Sequence, residues 1–316
     1  MDEPADVVED ILAREFPARE AASVTHPARG NHKQTAIVTF GNDHSVVVQL
    51  TPDTDGIRVE TVLSEAIRER TGVPVPEVFA TGRFDGLGYA VVEHATGSDL
   101  HEQFVELDPP AQRHVAHTFG RSLAELHETF SFESYGEIGL DSSQTDAASM
   151  HANGETEWGP WFKSYARAGI DALPSAFDDV RPELTAALEE SVLPESPPST
   201  LFPWDFRPGN ALLADGEVSA ILDWGAPLAA APGLSVAKAE HLVADWYVAD
   251  GTPLRAAFKS GYESVGSYPD IPPAYRLAAI ARSAVDSSGI VTRPRYPEVT
   301  GDDAVAFHVE RFESVL

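Results

Sequence analysis

The string Pro203-Trp204-Asp205-Phe206-Arg207-Pro208-Gly209-Asn210 sets an aspartate five residues ahead of an asparagine, and a further aspartate follows in Ile221-Leu222-Asp223-Trp224-Gly225. A positioned carboxylate can accept a proton from a hydroxyl and orient the oxygen for attack. Asn and Asp oxygens are hard ligands suited to magnesium, which takes a few protein ligands and fills its remaining positions from phosphate and water. Arg207 adds a permanent cation two residues after Asp205. Taken singly, each of these residues reads as a turn cap or one half of a surface ion pair. Residues 210–213 and 218–222 flank Ala214-Asp215-Gly216-Glu217, a hairpin signal that brings Asn210 and Asp223 together.

The elements needed to position this group fall into two stretches of different grammar. Residues 21–94 alternate short β-like runs with turns: 22–26, 34–40, an Asn42-Asp43 turn, 45–50, and then 78–84 and 87–94 around Asp85-Gly86. Between the third and fourth runs, Val59, Val62, Leu63, Ala66 and Ile67 recur at helical spacing until Gly72, Pro74 and Pro76 end the pattern. The expectation is an antiparallel sheet with one inserted helix. From about residue 100 the pattern is helical, opening with Asp108 as N-cap, Pro109 in the first turn, and Val115, Phe119, Leu123 and Leu126 along one face. Further helices are expected at 157–172, 182–192, 234–248, 253–265, 273–287 and 303–316, broken only by the 210–222 hairpin. Residues 141–154, rich in Ser, His, Asn and Gly, read as a loop near a cleft.

The Asp205-to-Asn210 interval, the Pro-Gly before Asn210, the hairpin and the Ile-Leu-Asp-Trp-Gly string together resemble the catalytic loop and metal-binding Asp of the aminoglycoside phosphotransferase and choline kinase superfamily, relatives of the protein kinases. The resemblance implies an α+β, two-lobed protein-kinase-like fold: an N-terminal nucleotide-binding lobe over residues 1–96 and a mainly helical lobe over 97–316 carrying the catalytic loop and substrate site. It implies ATP and Mg2+ as cofactors, Asp205 as the proton acceptor, Asn210 and Asp223 as metal ligands, and Arg207 as a cation on the γ-phosphate. Gly30-Asn31-His32-Lys33-Gln34 is similar to the loop that covers the phosphates, which makes Lys33 a candidate. Glu65 resembles the helical Glu that pairs with a third-strand cation. Val91 to Gly97 resembles the hinge where adenine meets backbone, at Glu93, His94 and Ala95. Leu123 to His127 resembles a helix supporting the catalytic loop, with His127 a packing and hydrogen-bonding residue.

The chain departs from the family pattern at named places. Pro203 and Trp204 stand where the family has His two residues before the catalytic Asp and Gly directly before it. Neutral Gln49, in Val46-Val47-Val48-Gln49-Leu50, stands at the third-strand Lys or Arg. The stretch Ala230 to Ser235 replaces a Gly-Asp-Pro turn and a buried Asp. A cation from Lys33, Arg58 or Arg207, or bound potassium, is then required to compensate, and packing of Trp204 to replace the missing His. Trp158, Trp161, Glu240, Asp245 and Trp246 are candidates to line the acceptor site.

Composition bounds what the chemistry serves. The 316 residues hold 50 Asp plus Glu against 22 Lys plus Arg, a formal net charge of −28, with no cysteine. Phosphate backbones demand basic patches, so a nucleic-acid partner is excluded. The absence of cysteine excludes disulfides, thiolate metal sites and a cysteine nucleophile. No apolar run approaches the ~20 residues of a membrane span, and no signal sequence opens the chain, so a cytoplasmic location is expected. Acids spread from end to end suggest a salt-rich cytoplasm and a haloarchaeal-type member of the family. Three readings follow: an ATP-dependent phosphotransferase acting on a small-molecule hydroxyl acceptor, a nucleotide-binding pseudokinase without turnover, or a fold-only partner-binding protein. The acceptor's identity and the oligomeric state are not written in the sequence.

Overall fold

The alternation in the first half becomes a sheet with two different faces. In a computed structural model that describes residues 4–27, 33–41, 44–141 and 149–316, strands β1 (Ala21–Thr25), β2 (Gln34–Phe40) and β3 (Ser45–Thr51) lead into helix α2 (Thr54–Arg70), and β4 (Val78–Phe84) and β5 (Leu87–Glu93) complete an antiparallel sheet of order β1-β2-β3-β5-β4. Every second residue of β2 and β3 is buried. Ala36, Val38, Phe40, Val46, Val48 and Leu50 pack with Val8, Ile11 and Leu12 of α1 (Pro4–Glu15), a helix not expected from the sequence. The opposite parity, Thr35, Gln49, Ala90 and Thr81, forms one cross-strand row on the other face. That face carries α2, as Thr61 of α2 bonds to Thr81 and Ile57 lies beside Gly88. Asp53 caps α2 by accepting from Gly56 N at 2.9 Å. The Asp85-Gly86 and Asp215-Gly216 turns adopt positive φ at both residues, as a tight hairpin turn requires.

The chain leaves the sheet at Glu93 and forms β6 (Ser98–Asp99), α3 (Leu100–Gln103) and α4 (Pro109–Thr129), the last capped by Asp108 with Pro109 in its first turn. At the crossing Gly97 has φ +139°, and a Cβ there would lie 2.7 Å from the Ser219 hydroxyl, so only glycine fits. The remainder is β7 (Ser131–Phe132), β8 (Tyr135–Leu140), β9 (Met150–Glu155), α5 (Trp158–Ala172), α6 (Arg181–Glu189), β10 (Ser199–Phe202), β11 (Ala211–Ala214), β12 (Glu217–Ile221), β13 (Leu228–Ala230), α7 (Pro232–Glu240), α8 (Thr252–Glu263), α9 (Pro273–Ala281), β14 (Thr292–Arg293), β15 (Val299–Thr300) and α10 (Gly301–Glu313). The fold is α+β, an antiparallel N-terminal sheet joined to a mainly helical remainder.

Three expectations are corrected. The second half holds more than one hairpin: β7, β10, β13, β8 and β9 form a further five-stranded sheet. Its strands are short, and the Ala- and Gly-containing ones carry no apolar alternation to reveal them. The 141–154 segment is not wholly loop, since β9 pairs with β8 from Leu140↔Met150 to Tyr135↔Glu155. The expected helix at 234–248 is α7 followed by a wider, π-type turn at His241–Asp245. The Asn42-Asp43 turn, and Gly30, Asn31 and His32 of the loop compared with a phosphate cover, lie outside the described residues.

Candidate active site

The Asp205-to-Asn210 string connects the five-stranded sheet that holds β10 to the three-stranded sheet of β6, β11 and β12. It leaves β10 at Phe202, runs through Asp205 and enters β11 at Ala211 by way of a tight turn at Pro208–Asn210. Phe206, buried between the two polar residues, packs edge-on to Phe119 of α4 at 4.9 Å and so anchors the loop to the core. Asp205 is then held by its neighbours. Arg207 Nε donates to both its carboxylate oxygens at 2.8 and 2.9 Å, and Asn210 Nδ2 donates to its main-chain carbonyl and to Oδ2, both at 2.9 Å. Arg207 is tucked across Gly209 beside the Tyr247 hydroxyl, with its guanidinium 5.6 Å from the Trp246 ring centroid. Burial works against its charge, but Asp205 outweighs burial and holds it firmly cationic. The structure therefore places Arg207 as a clamp on Asp205 through its Nε.

Hairpin β11–β12 acts as expected. Leu222 N donates to Asn210 O at 2.7 Å, which closes the base of the hairpin and sets Asn210 next to the turn that carries Asp223. Asp223 sits in the left-handed region at φ +59° with its carboxylate half exposed. Because the Asn210 amide nitrogen is committed to Asp205, its oxygen is left as the acceptor that faces away from that bond. An amide oxygen and a half-exposed carboxylate make a donor set that fits a magnesium ion.

Of the cations expected near Gln49, Lys33 is the one that contacts acids at this point of the fold. Its Nζ lies 2.5 Å from Glu60 Oε1 and 3.4 Å from Asp223 Oδ1. The reason is parity. Gln49 is opposite Thr35 in the β2–β3 register, and Lys33, two residues before Thr35, points to the same face of the sheet. Burial alone would lower the Lys33 ammonium, yet Glu60 and Asp223 more than offset it and hold it above its ordinary value. Gln49 is half-buried on the cleft-side row but makes no hydrogen bond among the described residues. Arg58 is directed elsewhere, to the Asp141 carbonyl.

Glu65 is not the helical partner. It is solvent-exposed with Glu69 as its charged neighbour, whereas Glu60, five residues earlier and about 140° around the helix, is buried facing Lys33. The spacing could have shown this, since Glu60 shares its face with Leu63, Ser64 and Ile67, all buried, while Glu65 shares its face with exposed Arg68 and Glu69. Glu93, His94 and Ala95 end β5 and begin the connection to β6, with Glu93 N bonded to Glu77 O. His127 bridges the Tyr262 hydroxyl at 2.8 Å and the Ser235 hydroxyl at 3.0 Å, and burial pulls its imidazole down to about 3, a neutral brace as expected.

Among the acceptor-lining candidates, Trp158 is buried in the second core, and Glu240 and Asp245 are taken up by Arg276, Arg255, Tyr268 and His241. Trp246 is buried beneath Arg207. These four are structural. Trp161, half-buried, stacks on Tyr165 at 5.2 Å. Trp204 replaces the missing His brace by cation stacking: the Lys238 ammonium sits 3.1 Å from its ring centroid and the Arg282 guanidinium 5.2 Å from it.

The geometry is matched by comparison with known proteins. The sequence model of the phosphotransferase enzyme family matches residues 23–277, and the chain belongs to that family. Among solved structures, aminoglycoside phosphotransferase APH(4)-Ia is similar with a TM-score of 0.65 at 17% identity, covering 98% of both chains. A thermostable mutant of that protein, in ternary complex with AMP-PNP and hygromycin B, gives a TM-score of 0.66 at 18% identity over 98% of this chain and 97% of its own. Macrolide 2′-phosphotransferase MphH from Brachybacterium faecium gives 0.56 at 15% identity over 88% of each chain. At these identities the likeness shows the protein-kinase-like fold of the family. No curated protein matches the sequence.

Proposed function

We propose that this phosphotransferase moves the γ-phosphoryl group of ATP to a hydroxyl of a small molecule, with residues 1–96 as the nucleotide lobe and 97–316 carrying the acceptor. The observation that carries the reading is the Lys33–Glu60–Asp223 contact. It joins the start of β2, the inserted helix and the turn after the hairpin, and it supplies the cation whose loss from position 49 would otherwise favour a pseudokinase.

The chemistry follows from the positions of the groups. Lys33, fixed by Glu60, offers its remaining donors to phosphate oxygens beneath the sheet. Asn210 and Asp223 would hold magnesium, which when bound neutralises charge on the phosphates. Asp205, held by Arg207 and Asn210, accepts the proton of the acceptor hydroxyl as that oxygen bonds to the γ-phosphorus and the bond to the β–γ bridging oxygen breaks, releasing ADP. Bond making and bond breaking are in line, so positioning and charge neutralisation supply most of the catalysis. The test is a screen of hydroxylated metabolites with γ-labelled ATP, repeated with Asp205→Asn, a change that keeps shape and removes the proton acceptor. Labelled product with the wild type and none with the variant, at unchanged nucleotide affinity, supports the reading. Equal product from both would remove Asp205 from the role of base.

A further inference from the structure

Lys238 is a buried ammonium that the mechanism does not use. Of the four lysines, Lys33, Lys163 and Lys259 each pair with a glutamate, whereas Lys238 has neither an ion pair nor a hydrogen bond among the described residues. It projects from α7 onto the face of Trp204, the residue directly before Asp205. The Arg282 guanidinium, just past α9, lies 5.2 Å from the same ring, its Nε buried without a hydrogen bond, and the Tyr165 hydroxyl of α5 interacts with that guanidinium. The Arg282 guanidinium lies 4.7 Å from the Tyr165 ring centroid, and Tyr165 is 6.4 Å from Trp204. Buried donors are ordinarily satisfied, so the Lys238 ammonium and the Arg282 guanidinium beside one indole, neither in an ion pair among the described residues, offer donors to acceptor atoms from outside the chain. Burial first, then the charges of Arg282 and Arg207, bring the Lys238 ammonium down to about 7 against the opposing pull of Asp205. In a chain of net charge −28 an unpaired pair of cations is not a consequence of composition.

We propose that the acceptor binds against Trp204 and carries an anionic oxygen group, a carboxylate or a phosphoryl, held by Lys238 and Arg282. This rests on the phosphotransferase reading and narrows it: the hydroxyl presented to Asp205 belongs to an organic acid or phosphate ester and not to a polycationic sugar. A fold-only role for Lys238 is a poor alternative, because a methionine would cover Trp204 without the cost of desolvating a charge.

The test uses four open-chain polyols that differ in headgroup: D-gluconate, sorbitol 6-phosphate, sorbitol and N-methylglucamine. Each is titrated calorimetrically into the full chain at matched ionic strength, with and without MgADP. The expected result is that gluconate, sorbitol 6-phosphate or both bind about tenfold or more tightly than the neutral and cationic polyols, the margin of a charge-assisted hydrogen bond. Which of the two binds better separates a carboxylate from a phosphoryl acceptor. Lys238→Met should erase the preference and Lys238→Arg should keep part of it. Folding is checked on the same variant, since Lys238→Met removes a charge whose folded pKa of about 7 lies below its ordinary 10.5. The unfolded state holds the extra proton between those values, so the variant should be stabilised most below pH 7 and least near pH 10. Stronger binding of N-methylglucamine, no discrimination among the four, or an anion preference untouched by Lys238→Met would overturn the proposal. The MgADP thermal shift is read separately, so a nucleotide-site failure is not mistaken for a failure of the anion site.

Discussion

Lys33 and Glu60, twenty-seven residues apart in sequence, meet at 2.5 Å and bind the first sheet to the inserted helix at the point where Asp223 arrives from the turn after β12. Lys33, just before β2, reaches the same side of the sheet as Gln49 of β3, because residues of equal parity on paired strands share a face.

That relationship is open to a double-mutant cycle. ATP affinity measured for wild type, Lys33→Met, Glu60→Gln and the double variant should show coupling of about 1 to 3 kcal/mol. The corresponding cycle at Gln49 and Glu65 should show none, since Glu65 is exposed. In the Lys33→Met background, Gln49→Lys should recover part of the lost affinity. Independence of positions 33 and 60 would mean that the contact contributes nothing to nucleotide binding.

A second prediction concerns the neutral histidine under the catalytic lobe. Burial lowers the His127 imidazole from its ordinary 6.5 to about 3. The unfolded chain therefore holds a proton that the folded one lacks as pH falls below 6.5, and stability falls with it toward pH 3. His308 contributes in the same direction for the same reason. His127→Asn should flatten the slope of unfolding free energy between pH 6.5 and 4.5 relative to wild type. Superimposable slopes would show that His127 is protonated in the folded protein.

The net charge of −28 is the sole ground for proposing salt adaptation. At about 1 M salt the Debye length is about 3 Å, short enough to silence repulsion among surface acids. Thermal unfolding in about 2 M KCl should require markedly more heat than in dilute buffer. A melt indifferent to salt would end that proposal.

What could be read without the structure was whatever rests on local pattern. Strand alternation, the helix read from Val59 to Ile67, the Asp108-Pro109 start and the two Asp-Gly turns are periodicity and turn chemistry, and they formed where expected. The Asp205, Asn210 and Asp223 group was legible because one hairpin holds it together. Lys33 and Glu60 were harder, since their meeting depends on strand parity in one element and on helix phase in another. Glu60 was nevertheless marked by its position among buried Leu63 and Ile67, against exposed Arg68 and Glu69 beside Glu65. Lys238 carried a fainter mark, a single lysine between Ala237 and Ala239 in a helix whose residues before the terminal Glu240 are otherwise small or apolar. The β7-to-β13 sheet gave none, because strands of two to six residues containing Ser, Gly and Ala lack the apolar alternation that identifies longer ones.

The account stands on a magnesium-dependent nucleotide site at Asn210 and Asp223, and calorimetric titration of ATP, with magnesium and then with chelator, tests it most directly. For the wild type the account predicts affinity about tenfold or more higher with magnesium, a margin that collapses in Asp223→Asn, whose amide keeps the shape and removes the charge. ATP affinity unchanged by chelator, or a magnesium effect that survives Asp223→Asn intact, would contradict it.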